Sequence, residues 1–470
     1  MDESLAHPSS LLGQIQRGRG AGLLTALAED PVVVQPLLLS CILGDPRFDR
    51  QGEQRADYYA CLAIHVHLPL APLEDYLRSH ADDHPWSYSD LPLAALARMA
   101  WRGDEEASVI LVRYLSYGPM WTEAFEAVVG GGHALHSVRV LGQVILARFP
   151  DDTALSEELD CAMFNPTVWD KWTSVEPQVE PILASLRAQV PYVRPTDETI
   201  HATVDPAWDV SALLAHATNK SARIYGEVAA ERANSSNLSI LLDAFFGADT
   251  VQMRVASHAL TILKLPEALP PLVRFVEEFD GNEKVWRAQY RIGRVRRILA
   301  ATPEALPIAR AWLHAAGRAR ESVALSVLEE QSEEADVPAL RALLPSALDR
   351  EPSDFVAVNL VESCLEALAP FAAQIPYADL ASVFERTRSM WNRQKAAKLM
   401  AYVYPTAFCG SYAVECLWDC EDRIVVEIGC TYADLSMPMV RDRLDYLQHS
   451  AYENDAVRTR AKERLQASAL

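Results

Sequence analysis

Apolar and polar residues alternate with a helical period through most of the chain. In the segment 283–299, Val285, Ala288, Ile292, Val295 and Leu299 recur at helical steps and share one face. Asp, Gly and Pro, which cap and end helices, lie between such stripes. The alternation typical of a strand is nearly absent, so the pattern predicts an all-α protein. Similar apolar stripes occupy 54–67, 104–117, 133–148, 236–246, 249–263, 353–368, 437–448 and 454–467.

The predicted helices occur in pairs in the second half of the chain. Pairs start roughly every 30–40 residues, which is the period of helical-hairpin repeats. Because one amphipathic hairpin cannot bury its apolar face alone, each pair is expected to pack on the next pair. Three of the pairs are 236–246 with 249–263, 336–348 with 353–368, and 437–449 with 454–467.

A short motif recurs in helices that come second in such pairs. Near the C-terminus, Asp455 precedes Val457 and Arg458, and Ala461 and Leu465 follow at helical spacing. This pattern resembles the second helix of a HEAT repeat, of the HEAT/armadillo α-solenoid class. Val457 and Leu465 are expected in the core. Ala461 would let helices approach closely, and Asp455 would cap the helix.

Two other helices carry the same motif less completely. One keeps Val138, Arg139 and Gly142 but has His136 at the cap position, and the helix after Asp249 is a looser match. On period, the resemblance extends over about 70–80% of the chain. It implies an α-solenoid of stacked antiparallel helical hairpins, curved into a superhelix with a concave binding face. The class serves mostly as a scaffold for interactions, so the resemblance implies no activity.

One proline-rich region interrupts the helical pattern. The segment 165–206 predicts loop or extended chain, apart from a helix at 181–190. The predicted organisation is an N-terminal helical lobe with HEAT-like hairpins at 1–164, an irregular junction at 165–206 and a HEAT-like repeat array at 207–470.

Composition and charge restrict the expected partners and compartment. Hydrophobic residues make up 50% of the 470 residues, the formal net charge is −21 and the sequence pI is about 5.0. An acidic excess repels polyanions, which disfavours nucleic acid and anionic membranes and favours a basic protein partner. The apolar runs are too short to span a bilayer, and the N-terminus lacks the apolar core of a secretory signal. Eight irregularly spaced cysteines suit reduced thiols, so a cytoplasmic protein is expected.

The most suggestive candidate for a binding site is the arginine-rich helix at 283–299. Arginines interleaved with aromatic residues can bind phosphates, carboxylates or stacked bases. The alternative interpretation is a solvated helix face, with Arg287 paired to Glu283 one turn earlier. The candidate residues opposite the apolar stripe are Trp286, Arg287, Tyr290, Arg291, Arg294 and Arg297.

A second basic cluster surrounds Trp391. Within it, Trp391, Arg393 and Lys395 are the candidates for partner binding, and a solvated face is again the alternative. The cationic members of the cluster are Arg386, Arg388, Arg393, Lys395 and Lys398.

Metal, cofactor and catalytic sites are not predicted. The HADDH loop at 80–84 has metal-binding residue types, which surface loops also collect by chance. The glycines of VVGGGH at 128–133 lack the Gly-Lys-Ser/Thr of a phosphate loop, and no known set of catalytic residues is recognisable. Four late cysteines fit no standard zinc spacing, so core packing is preferred for Cys409, Cys416, Cys420 and Cys430.

Three functions are compatible with these observations. The preferred hypothesis is a non-enzymatic binding scaffold or adaptor, for example an inhibitor or a toxin-neutralising partner in a bacterial cell. The first alternative is a HEAT-like DNA-binding protein of the alkylpurine DNA glycosylase type, with the basic helices forming a groove. The second is a helical-repeat chromophore lyase or chaperone. An enzyme is the less favoured class, because catalytic residues for either alternative cannot be placed on this sequence.

Overall fold

In the computed structural model of the protein, the part of the chain that is described is helical. The structure describes residues 5–49, 53, 55–80, 90–130, 136–151, 154–155, 166–189, 204–234, 237–279, 286–313, 317–352, 354–421, 423–450 and 453–467. All regular secondary structure in these ranges is helix, so the predicted all-α class is confirmed.

Contacts divide the chain into two compact units. Unit 1 combines Met1–Pro191 with Phe384–Leu470, and unit 2 is Tyr192–Val383. The N-terminal helices of unit 1 are α1 (Leu11–Arg17), α2 (Gly20–Ala28), α3 (Pro31–Gly44), α4 (Ala56–His65), α5 (Ala71–Ser79), α6 (Asp90–Trp101), α7 (Glu105–Leu115), α8 (Trp121–Gly130), α9 (His136–Arg148), α10 (Pro166–Val175) and α11 (Glu180–Gln189).

The helices of unit 2 and of the C-terminal part of unit 1 follow. Unit 2 contains α12 (Val210–His216), α13 (Ala222–Arg232), α14 (Leu238–Phe246), α15 (Thr250–Leu263), α16 (Leu269–Phe279), α17 (Trp286–Ala301), α18 (Leu306–Trp312), α19 (Arg318–Gln331), α20 (Val337–Arg350) and α21 (Phe355–Leu368). The chain continues through α22 (Tyr377–Arg386), α23 (Met390–Val403), α24 (Pro405–Cys409), α25 (Tyr412–Cys416), α26 (Ile424–Tyr432), α27 (Pro438–His449) and α28 (Asp455–Ala467).

The helices of unit 2 pack in a regular order. Helices α13, α15, α17, α19 and α21 each pack on the next member of that series, which we call the continuous row. Helices α12, α14, α16, α18 and α20 each pack on the row helix that follows them in the chain. Adjacent row helices therefore present neighbouring exposed faces, on which residues from different hairpins can act together.

A repeated turn precedes three of the flanking helices of unit 2. Single 3₁₀ turns at Pro266–Ala268, Pro303–Ala305 and Glu334–Asp336 lead directly into α16, α18 and α20. The first two turns begin the same five-residue sequence, PEALP. The last turn residue is buried each time, which explains the alanines Ala268 and Ala305. This sequence repeat is a signal that helical periodicity alone did not reveal.

The paired helices predicted from the sequence are present, with one correction to a cap. In α28, Val457 and Ala461 are fully buried, as the motif predicts. The predicted cap at Asp455 is wrong, because the backbone N–H of Ala456 donates to Asn454 Oδ1 at 2.9 Å. Asp455 instead contacts the guanidinium of Arg458.

The proline-rich region holds more helix than its sequence suggests. The predicted helix at 181–190 is present as α11, but the irregular chain expected at 166–175 is helix α10. Trp169 and Trp172 of α10 are fully buried against Trp121 and Phe125 of α8. A Cβ atom on Gly142 of α9 would lie 2.3 Å from Trp172 Nε1, so glycine permits this close approach. Burial of these aromatic side chains therefore stabilises a helix where the prolines predict irregular chain.

The C-terminal segment 384–470 packs with the N-terminal helices within unit 1, although the sequence analysis placed it in one array with 207–383. Arg19 Nε donates to Glu415 Oε1 at 2.8 Å, and the N–H of Cys420 donates to the Gly18 carbonyl at 2.9 Å. Gly18 has a φ of 66°, and a Cβ there would lie 2.3 Å from Cys420 Sγ. These contacts require partners that are distant in sequence.

Candidate functional site

Helix α17 distributes its predicted site residues over different surroundings. Tyr290, Arg294 and Arg297 recur at helical spacing, and Arg294 Nη2 donates to the Tyr290 hydroxyl at 2.8 Å. Arg291 points elsewhere, because its Nη2 donates to the Gly247 carbonyl at 2.7 Å and its guanidinium lies over the Phe275 ring. The side chains of Trp286 and Arg287, and all of Glu283, lie outside the described residues. Arg294 and Arg297 are therefore the site arginines of α17 that can be placed on one exposed stripe.

The neighbouring row helix α15 adds two basic side chains beside that stripe. Arg254 and His258 are separated by one helical turn on α15, and both are half-buried. Burial, followed by the charges of Arg294, Arg254 and Arg297, lowers the pKa of His258 below its ordinary value. The three arginines and the imidazole lie on α15 and α17, which pack against each other. We call Arg254, His258, Arg294 and Arg297 the cationic cluster.

The arginines of the cationic cluster have no carboxylate partner among the described residues. Arg254 Nη1 donates to the amide oxygen of Asn219 at 3.3 Å, and its buried Nε has no hydrogen-bond partner. Arg297 is exposed. In contrast, Arg310 on α18 binds Asp336 at 2.7 Å and Glu333 at 2.6 Å. Arg310 is thus neutralised locally, whereas the arginines of the cluster can bind an external anion.

A cavity of about 850 Å³ adjoins the cationic cluster along α15, α17 and α19. Its basic lining residues are Lys264, Arg296 and Arg297, and its acidic ones are Glu329 and Glu330. The volume is in the range of ligand pockets, ~300–1,000 Å³.

Sequence reasoning found Arg294 and Arg297 but missed Arg254 and His258. For the segment 249–263 the sequence pattern indicates an apolar stripe and a partial repeat motif, and neither points to its polar face. The i, i+4 spacing of Arg254 and His258 on the opposite face was the available signal. That α15 and α17 are neighbours in the continuous row could be learned only from tertiary contacts.

The second basic cluster is divided between the core and the surface of unit 1. Arg393 is fully buried and forms an ion pair with Asp419 at 2.7 Å, so it cannot contact a partner in this conformation. Trp391 and Tyr402 are 37% and 81% exposed, and they share one face of α23 with Lys395 and Lys398. This stripe remains a candidate contact surface.

Three of the four late cysteines are buried, and the fourth, Cys409, is only partly buried. Cys416, Cys420 and Cys430 are buried, and burial raises the pKa of Cys420 and of Cys430 to about 12. Within the described ranges, no group of three or more His, Cys, Asp or Glu side chains is arranged for a metal ion. Most of the HADDH loop, and residues 131–133 of the glycine turn, lie outside those ranges.

One described segment, Val356–Gln374, is long and apolar enough to cross a membrane by composition. In this window 56% of the residues are buried within the protein. Much of α21 packs against α19 and α20, and core packing of this kind also produces an apolar sequence.

Comparison with known proteins gives no relative for this chain. No protein-family model matches it, and neither the curated proteins nor the solved structures contain a significant match.

Proposed function

We propose that the chain is a non-enzymatic binding scaffold of the HEAT/armadillo helical-repeat type, and that the continuous row of unit 2 binds an acidic segment of a protein partner. The observation that carries the proposal is the cationic cluster on the packed helices α15 and α17, where Arg254, Arg294 and Arg297 have no carboxylate partner among the described residues. The successive packing of the row helices supports the repeat assignment.

The local charge, rather than the net charge, determines the partner at this surface. Net charge alone favours a basic partner, but a charge acts strongly only within about 8–10 Å in salt solution. At the cationic cluster Arg294, Arg254 and Arg297 each act on His258 more strongly than Glu227 does, so carboxylates are attracted there. A protein carrying −21 overall disfavours the long, dense charge of duplex DNA more than a short acidic peptide.

Charge reversal should abolish binding of an acidic peptide. We expect Arg294→Glu with Arg297→Glu to weaken binding of a labelled hexaglutamate peptide by about 100-fold, roughly 2.7 kcal/mol. Fluorescence anisotropy at low salt measures this affinity. The matched control compares two single variants, Arg297→Glu and Arg274→Glu, which change the charge equally. Arg274 is an exposed arginine on the flanking helix α16.

The outcomes separate the candidate functions. If Arg274→Glu weakens binding as much as Arg297→Glu, the attraction is general and the proposed surface is wrong. Failure of hexaglutamate to bind the wild-type protein would also reject the proposal. If duplex DNA binds in a steeply salt-dependent manner and displaces the peptide, the DNA-binding alternative replaces it. A coloured ligand retained after co-expression with a tetrapyrrole chromophore would favour the lyase alternative.

Acidic pH should strengthen peptide binding through His258. In the free protein, burial and Arg294, Arg254 and Arg297 lower its pKa below 6.5, while Glu227 acts in the opposite direction. A bound carboxylate favours the imidazolium and raises that pKa, so binding takes up a proton. Affinity should therefore rise several-fold between about pH 7.5 and about pH 5.5, above the pKa of the peptide carboxylates of ~4.3.

The control for this pH dependence is His258→Gln, which should bind the peptide with a nearly constant affinity over the same range. Isothermal titration in two buffers of different ionisation enthalpy measures the proton uptake. A wild-type profile as flat as that of His258→Gln would contradict the role of His258.

A further inference from the structure

The cavity beside the cationic cluster has walls of opposite charge. Lys264, directly after α15, lies on the wall that α17 lines with Arg296 and Arg297, whereas α19 contributes Glu329 and Glu330. None of these five side chains forms an ion pair with another described residue. Opposite charges therefore line one cavity without neutralising each other by direct contact.

The basic wall includes a half-buried guanidinium that lacks a carboxylate partner. Arg296 Nε donates to Ser326 Oγ at 2.8 Å. Burial and the neighbouring Arg297 lower the pKa of Arg296, although Glu329 acts in the opposite direction. Partial burial of an unpaired charge costs free energy, which a ligand carboxylate at this position would offset.

The space between the walls is open to a ligand. A Cβ atom added to Gly293 of α17 would meet no other atom within 4 Å. The absence of a side chain at this position contributes to the cavity, which Gly293 lines together with the charged residues. A side chain built there would fill the cavity without changing its charge.

We propose that this cavity binds the point in a partner segment where acidic residues are followed by lysine or arginine. The carboxylates contact Arg296 and Arg297 on α17, and the cationic side chains contact Glu329 and Glu330 on α19. This inference rests on the proposed function, in which the cationic cluster selects only for acidic residues. It adds that the acidic residues of the ligand must be followed by basic ones.

The spacing of the helices fixes how far apart the two charge blocks lie. Packed helices have axes about 8–10 Å apart, and an extended chain advances about 3.3 Å per residue. About three residues therefore separate a group over α17 from a group over α19. The acidic and basic blocks of the ligand must be nearly adjacent in sequence.

Three labelled peptides test this inference on the full-length protein. They are hexaglutamate, a block peptide Glu-Glu-Glu-Ser-Lys-Lys-Lys, and a peptide of the same composition ordered Glu-Lys-Glu-Ser-Lys-Glu-Lys. We expect the block peptide to bind about tenfold more tightly than the alternating peptide, a difference of roughly 1.4 kcal/mol. Composition and net charge are equal in these two, so only charge order differs.

Variants of the two walls identify the site. Glu329→Gln with Glu330→Gln should remove the preference for the block peptide and leave hexaglutamate binding at least as tight. The matched control is Glu277→Gln with Glu278→Gln, two adjacent exposed glutamates on α16, which should keep the preference. Gly293→Trp should weaken block-peptide binding by filling the cavity without a change of charge.

The outcomes distinguish this inference from the proposed function. If hexaglutamate binds through Arg294 and Arg297 but the block and alternating peptides bind equally, the cavity does not distinguish the order of charges. Only this inference then fails. If none of the peptides binds, the proposed function fails with it. Loss of the preference in the Glu277 and Glu278 variant would also overturn the assignment to this cavity.

Discussion

Replacing Asp419 with alanine should lower the free energy of unfolding of unit 1 by about 3–5 kcal/mol, because it leaves a buried arginine without its counter-ion. Arg393 donates to both oxygens of Asp419, at 2.7 Å from Nε and 3.0 Å from Nη2, and both side chains are completely inaccessible to solvent. The nearby Cys420 Sγ, at 3.3 Å from Arg393 Nη2, is a much weaker acceptor.

Urea unfolding followed by tryptophan fluorescence measures this loss. The control is Glu463→Ala, which breaks an exposed pair with Arg460 in the same unit, where the side chains are 57% and 50% exposed. That change should cost at most about 1 kcal/mol. The double variant Arg393→Met with Asp419→Leu should recover most of the stability, because it removes both charges together. A loss for Asp419→Ala no larger than for Glu463→Ala would mean that this pair is not buried.

Replacing Trp172 with alanine should destabilise unit 1 by a similar amount, about 3–5 kcal/mol. Trp172 is fully buried in α10, with ring centroids 5.3 Å from Phe125 and 5.6 Å from Trp169. Its indole N–H has no hydrogen-bond partner among the described residues, so the expected loss comes from apolar contacts and the resulting cavity. Trp172→Phe should recover part of it by keeping an aromatic ring.

The matched control is Trp391→Ala, which removes the same side chain from an exposed position on α23. It should lower the unfolding free energy clearly less than Trp172→Ala does, because Trp391 keeps 37% of its surface in water whereas Trp172 is fully buried. If Trp172→Ala and Trp391→Ala shift the urea midpoint equally, the packing of α10 against α8 and α9 is wrong. Comparing the two tryptophan variants also tests whether α10, in the proline-rich region, is a packed helix.

The cationic cluster shows which residues of a site can be predicted from the sequence and which cannot. Arg291 and Arg294 have equivalent positions in the sequence pattern, yet only Arg294 joins the cluster. The difference is set by Gly247 of the preceding hairpin and by Phe275 of the adjacent helix α16, which contact the guanidinium of Arg291. No short-range pattern encodes which hairpin will supply those neighbours.

The sequence by itself determined the helical class and the paired helices, because a period of 3.6 residues is a local property that each segment carries. Only the tertiary structure decided that Arg393 is buried, that Arg254 and His258 join Arg294, and that 384–470 packs with the N-terminal helices. The physical reason is that burial and charge pairing depend on residues far apart in the chain. An arginine beside solvent and an arginine beside a distant aspartate can have the same local sequence.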